Sequence, residues 1–459
     1  MSQSPEMKRF ISALYPLNRS ICSPDFDKAL SILRRDFIPD LHIDAYRTSS
    51  DAWTWIIPQK WALNKGYIKC GGRYLIHTDD EPLSVWSGSK PFHGRISHER
   101  LMRHVYSDPS DPELIRWYFR YYGNLDWVFN LPHGLVEKLD PDAEYEVRID
   151  SKYYEDELRV GHVLLRGKSA KTIVIISDLC HPYQCNDSLS GAAVNYLLLE
   201  HLRQRDTFFS YLFLFVPETI GTVAFFANNE ILIQDILYSF YGEFWGRDLK
   251  LNFQKSLHGN TLMDRNIMQV LKERYGHGQF TVRKFRRGGV KNDEMVMACP
   301  PISAPSFAFN RRNDDGIFFP EYHSNQDTPA HLDYDKMQDA YELLREILDR
   351  FDKQEEIPAK CEKVFRCPPI PNSKRPKTDF IPIPKFKGTI FLTRYGLWVD
   401  WRVNPKLNAA LDEITACLNG ENSVAEIAAF VDVSYDCVYD YMLGFEQQGL
   451  IEKRKGGMT

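Results

Sequence analysis

The sequence predicts an α/β protein built on a largely parallel sheet, and three observations carry that prediction. TIVIISDL (172–179) and YLFLFV (211–216) are short, unbroken apolar runs, as expected of strands buried on both faces. Between them GAAVNYLLLEHL (191–202) reads as a helix, with Ser190 as its candidate N-cap. Further on, KMQDAYELLREILDRF (336–351) is amphipathic at helical spacing and reads as the helix that closes the unit. Strands alternating with helices favour parallel pairing, because each crossover covers a face of the sheet.

The flanking zones differ in texture. Residues 1–43 are helical in pattern, with Ile11, Leu14 and Tyr15 and then Ala29, Ile32, Leu33 and Phe37 recurring on one face. Together with 136–357 they are expected to form the α/β domain. Residues 44–135 hold six of the nine tryptophans and β-like runs such as YIKCGGRYLIH with its Gly71-Gly72 turn, so an inserted β-rich domain is expected there. Its stretch from Trp117 to Trp127 reads either as core or as a wall of a cleft. Seven prolines within 358–387 forbid a regular helix and predict an extended linker. In 388–459 three helical patterns are followed by IEKR, the sequence shape of a winged helix.

Composition excludes several function classes. At 459 residues, 43% hydrophobic and 26% charged, the chain fits a soluble globular protein of two to four domains. With 57 basic and 62 acidic side chains the net charge is −5, which offers no footprint for nucleic acid or anionic membrane. The third C-terminal helix, 434–448, has no Lys or Arg but carries Asp436, Asp440 and Glu446, so contact with phosphates is disfavoured. A protein partner or self-association is the expected role of that module. The longest apolar run is broken by Pro217 and Glu218, so no membrane span is expected. Nine scattered cysteines without a CxxC pair suggest reduced thiols and a cytoplasmic location.

Four loops carry chemistry. His181 and Asp187 lie just past the first apolar strand, at the edge where ligands of open α/β sheets gather. An imidazole and a carboxylate suit zinc, although a satisfied loop histidine and a capping aspartate would read the same way. Glu218 follows the second strand and lands on the same edge, as a ligand or a general base. His323, flanked by Tyr322, precedes the closing helix. Asp293 and Glu294 form an acidic pair that reads as solvated surface or a helix start, or as a grip for a substrate ammonium group.

These residues also carry a family resemblance. HPYQCNDSLSG (181–191) is similar to the His loop of the zinc aminopeptidase and glutaminyl cyclase clan, in which an Asp stands four positions before the Gly of a Ser-Gly step. YHSNQDT (322–328) is similar to the clan's YHTxxDT signature, and NDE (292–294) resembles its Ser-Asp-His segment. The whole chain resembles a bacterial branch with the pattern CHPxxxNDxLSG, here Cys180 to Gly191, and an intact PETIG. The resemblance implies a three-layer aminopeptidase-like domain, the β-rich insertion and a C-terminal winged helix. It implies a zinc-dependent hydrolase of amide or peptide-like bonds, with His181, Asp187 and His323 as metal ligands and Glu218 as general base. Two departures favour one zinc per chain: Thr219 stands where dizinc members have a second glutamate, and Tyr183 replaces an aspartate. Glu243 is the candidate for a second metal site. Two alternatives stay open: a single-zinc acyl-transfer enzyme such as a cyclase, and a non-catalytic scaffold that kept the fold.

Overall fold

A computed structural model describes residues 3–122, 126–285, 292–313, 318–355 and 364–455. Its centre is an eight-stranded mixed sheet. In chain order the strands are β1 (His42–Arg47), β2 (Glu157–Leu165), β3 (Thr172–Asp178), β4 (Ser210–Val216), β5 (Ile236–Glu243), β6 (Leu251–Gln254), β7 (Phe280–Arg283) and β8 (Ser306–Arg311). Across the sheet they run β1-β2-β4-β3-β5-β8-β6-β7. The central four, β4, β3, β5 and β8, are mutually parallel, and β6 pairs parallel with β7; the other pairings are antiparallel.

The unbroken apolar runs have the expected cause. Ile173 and Ile175 of β3 and Tyr211, Phe213 and Phe215 of β4 pack on one face of the sheet. Val174, Ile176, Leu212, Leu214 and Val216 pack on the other. A strand with both faces buried has no position to spare for a polar side chain. The first face is covered by helices Ser4–Leu14, Pro24–Ile32, Leu189–Arg203, Leu262–Tyr275 and Tyr334–Asp352, the second by Ile220–Asn228 and Asp293–Ala298.

Residues 44–47, expected in the insertion, belong instead to β1 of the large sheet, and two further features differ from the expectation. Strand Glu144–Tyr154, placed by the sequence reading in the α/β domain, is an inner strand of the separate small sheet, between Lys60–Cys70 and Phe92–Ser97. The small sheet therefore does not stop at residue 135. The cause is visible in EYEVRIDSKYY, where buried positions alternate with more exposed ones. That is the period of a sheet with one wet face, unlike the runs of β3 and β4.

The second difference lies in the proline-rich stretch, which is more than a linker. Its Phe380–Pro384 pairs antiparallel with the last strand, Ile451–Lys455. Prolines are tolerated because this two-stranded ribbon leaves them on an edge. The ribbon packs with helices Pro405–Ala416, Val424–Val431 and Tyr435–Gln447. Their core is continuous with Leu257, Phe285 and Ala298 of the α/β domain. Residues 358–363 of the stretch, 456–459 of the terminus and 123–125 of the aromatic run lie outside the described residues.

Candidate active site

Four chain segments leave the carboxyl ends of β3, β4, β5 and β8 and meet over one edge of the sheet. The segment after β3 carries His181 and Asp187, and backbone hydrogen bonds hold it. Arg19, wholly buried, donates to the carbonyls of Leu179 (2.7 Å), His181 and Gln184 (2.9 Å). Asp327 accepts from the backbone N–H of Asn186 (2.9 Å) and of Asp187 (3.0 Å). Burial pushes its carboxyl up to about 7, against those two donors, which favour the anion. Ser190 is not the N-cap: the helix begins at Leu189, and the Ser190 hydroxyl donates to Asn186 O at 2.6 Å. Gly191 is required by close approach, since a Cβ there would lie 2.1 Å from Gly242 O on β5.

The expected ligands converge. His323 Nε2 lies 3.1 Å from Asp187 Oδ2, and His181 Nε2 lies 3.6 Å from Asp187 Oδ1. One ligand atom from each of the three falls within 4.8 Å of the others. Yet Asp187 Oδ1 and His323 Nε2 are buried with no hydrogen-bond partner. Buried polar atoms left unsatisfied cost about 1–3 kcal/mol each, more if charged. Atoms that crowd together without bonding one another are what a shared cation would satisfy. Desolvation lowers His181 to about 4, so its imidazole is neutral at pH 7 with a lone pair to give. The donor set therefore fits a divalent metal such as zinc.

Glu218 stands beside this group, Oε2 3.9 Å from His181 Nε2, with its side chain 24% exposed to the cavity. Its backbone N–H reaches Cys180 Sγ at 3.1 Å. Burial pushes the Cys180 thiol well up, so it supports the loop as a neutral group. The next residue, Thr219, has φ of +60°, a strained conformation for a β-branched residue, and its N–H is held by Asp293 Oδ2 at 3.2 Å.

Asp293 and Glu294 do not line the cavity. Both are fully buried behind it. Glu294 accepts from Asn292 N (3.0 Å) and Gln254 Nε2 (3.5 Å). Asp293 adjoins Asp178, and burial pushes it up to about 6. Asp178 is driven higher by burial and by the Asp293 charge. Glu243, at the end of β5, does face the cavity, as Asp187 and Glu218 do. Its Oε2 accepts from Tyr241 OH (2.6 Å) and Asn292 Nδ2 (3.3 Å), while its Oε1 is buried without a hydrogen-bond partner. Tyr241 OH also lies 2.7 Å from Asp178 Oδ2. One hydroxyl proton cannot serve both carboxyls, so at least one carries its own, in keeping with burial raising both.

The family model described as a domain of unknown function, DUF4910, matches residues 8–354. The chain belongs to the DUF4910 family. This DUF4910 protein is 28% identical over 344 residues to a Clostridium acetobutylicum protein named for polysaccharide biosynthesis and an aminopeptidase-like domain, covering 75% of this chain and 77% of that one. In fold it resembles a C. acetobutylicum protein solved as a candidate peptidase, with a TM-score of 0.71, 22% identity, and coverage of 98% of this chain and 97% of that one. It also resembles a zinc aminopeptidase from Bacillus subtilis, with a TM-score of 0.57, 14% identity, and coverage of 79% and 98%. The domain is aminopeptidase-like.

The small β-rich module of the DUF4910 protein touches the site directly. Trp117 meets the rings of His181 and His323 edge-on, each with centroids 4.9 Å apart, and its backbone N–H donates to His323 O at 2.6 Å. Arg116 Nη1 donates to Tyr322 O at 2.8 Å. Tyr322 stacks on the His323 ring at 3.9 Å, and His323 is held at φ +51°. Phe119 joins Phe244, Phe318 and Tyr322 around a cavity of about 340 Å³ whose polar side is His181, Asp187, Glu218, Glu243, Asn292 and His323. Sequence reasoning missed Asn292, Phe244 and Phe318 as lining residues and Arg19 as a brace. Asn292 lay inside the quoted NDE, whose two acids drew the reading instead. The departure Tyr183 packs against the core of the small module.

Proposed function

We propose that this DUF4910 protein is a zinc-dependent, aminopeptidase-like hydrolase of an amide or peptide-like bond. The observation that carries the reading is the convergence of His181, Asp187 and His323, two of whose buried atoms lack hydrogen-bond partners, beside the partly exposed carboxylate of Glu218. Zinc held by those three would supply Lewis-acid polarisation of a carbonyl. Glu218, reaching the cavity from the end of β4, takes the proton of the attacking water and returns it to the leaving amine. Glu243 Oε1 is the carboxylate placed to receive a substrate ammonium group, the part first assigned to Asp293 or Glu294. Thr219 brings no carboxylate, which supports one zinc per chain. The C-terminal helices and ribbon read as a winged-helix-like module that packs on the domain or binds a protein, in a cytoplasmic protein.

Metal analysis with the Glu218→Gln variant tests this reading. Purified wild type should hold one zinc per chain, and Glu218→Gln should hold it equally while losing hydrolysis of amino-acid amides. Wild type without stoichiometric metal sinks the proposal. Product analysis separates hydrolysis, which adds water, from cyclisation, which does not.

A further inference from the structure

Resting on that reading, we infer that Phe119 of the inserted module determines specificity, forming a subsite for a flat apolar group beside the metal-binding side chains. Trp117, Phe119 and Tyr121 alternate along an extended segment, so their rings fall on one side of it. The rings stack in series, Trp117 on Phe119 at 4.7 Å and Phe119 on Tyr121 at 5.1 Å, both tilted less than 30°. The inner end of this row is fixed: Trp117 is buried against both histidines, and its Nε1–H donates to Ser87 Oγ at 3.0 Å. Its outer end is fixed by Tyr121, whose hydroxyl accepts from Ile21 N at 3.3 Å. Phe119, between them, is 40% exposed and lines the cavity. A large apolar ring is left that open at the mouth of a site only at a cost in water contact, which a bound apolar face would recover.

The other rings of the cavity agree. Phe244, Phe318 and Tyr322 form one cluster, with centroids 4.8–5.8 Å apart, supplied by the α/β domain. Phe119 is the ring supplied by the insertion. A planar side chain, an aromatic ring above all, gains from such walls more than a branched or polar one does, because face and edge contacts are both available. The insertion thereby sets which side chain sits beside the scissile bond, while the α/β domain holds the polar groups.

The test uses zinc-loaded full-length protein and two hydroxamates that share a metal-binding group, benzohydroxamate and acetohydroxamate. Wild type should bind the phenyl probe more tightly. Phe119→Ala should weaken benzohydroxamate about three- to tenfold and acetohydroxamate by less than about twofold. Its zinc content should be unchanged. Phe119→Leu keeps apolar bulk should the alanine variant fold poorly, and it should lose most of the same preference. Equal weakening of both probes, or no weakening, overturns the inference while leaving the metal reading intact. A wild type that takes up no zinc overturns the metal reading and this inference with it.

Discussion

Two His-Asp-His groups sit on this sheet, and they are not alike. On the edge pair β1–β2, His42 Nε2 lies 3.1 Å from Asp44 Oδ1 and His162 Nδ1 lies 3.1 Å from Asp44 Oδ2. At the carboxyl edge, His323 lies the same 3.1 Å from Asp187. The residue types match, as does one spacing, but His181 stands farther off at 3.6 Å and the surroundings differ. His42 is 67% exposed, whereas His181 and Asp187 in the inner group are only 3% and 2% exposed. Of these two groups only the inner one brings three ligand atoms within 4.8 Å of one another among the described residues, and Cys180, His181 and Glu218 form another such set beside it. Asp44 is desolvated, yet the neighbouring imidazoles of His162 and His42 hold its carboxyl below the ordinary range, although His162 Nδ1 is itself buried without a hydrogen-bond partner. Its charge is answered locally. The difference teaches that a candidate metal site is told by burial and convergence, and the residue list alone does not mark one.

The comparison can be broken in several ways. The largest expected effect is on rate: Glu218→Gln should lose roughly 10²–10⁴-fold in amide hydrolysis with metal content intact. A near wild-type rate would remove Glu218 from the chemistry. Next, His323→Ala should drop bound zinc well below one per chain, whereas His42→Ala should leave it unchanged. Zinc lost equally from both variants would erase the distinction between the two groups. Third, Asp327→Asn should weaken zinc binding about 10–100-fold, since it disturbs the N–H contacts that orient Asp187. Zinc affinity equal to wild type, measured by chelator competition, would contradict that role.

A smaller effect is expected from pH. His181 is lowered to about 4 in the fold by desolvation, against 6.5 for an ordinary histidine. Between those values the unfolded chain binds a proton that the folded chain does not, so the contribution of His181 to stability falls as pH drops from about 6.5 towards about 4. The buried acids Asp327 and Asp293 act in the opposite sense, so the measurement is a difference. Metal-free His181→Asn should lose up to ~3 kcal/mol less than metal-free wild type over that range. Parallel curves for the two proteins would show that His181 is not desolvated as described. Smallest of all is the effect expected of duplex DNA on the C-terminal module. At low salt no micromolar binding should be seen, and a salt-sensitive shift lost on deleting residues 388–459 would refute that.

Much of this was legible from the chain because burial on both faces writes itself as continuous apolar runs. Those runs end at Asp178 and Val216, and the residues that follow them had to fall on one edge. His181, Asp187 and Glu218 were read in that way, and His323 from its place before the closing helix and its likeness to the YHTxxDT signature. Asp293 and Glu294 do begin a helix, one of the readings made of them, but their burial was not legible, because an acidic pair at a helix start looks the same whether it faces solvent or is buried against Thr219, Asp178 and Asn292. Glu243 was only a weak candidate, since YGEFW shows nothing of the open Oε1. Phe119 and Trp117 lie in the stretch read either as core or as a cleft wall, and it serves as both, Trp117 buried and Phe119 lining the cavity; which residue does which depended on how a separate sheet docks. The strand Phe380–Pro384 was hidden by the prolines that an edge position tolerates.

Strand Glu144–Tyr154 of the small sheet is followed after only Glu155 and Asp156 by β2 of the large one. That joint is pinned. The buried ammonium of Lys60 reaches Asp27 Oδ2 at 2.5 Å and Asp156 Oδ2 at 3.0 Å, and Thr48 Oγ1 donates to Glu155 at 2.7 Å. A two-residue link anchored to both sheets leaves little slack at this joint. The small module is thus held to the large sheet like a bracket to a beam, and the ring it lends the cavity, Phe119, comes with that bracket.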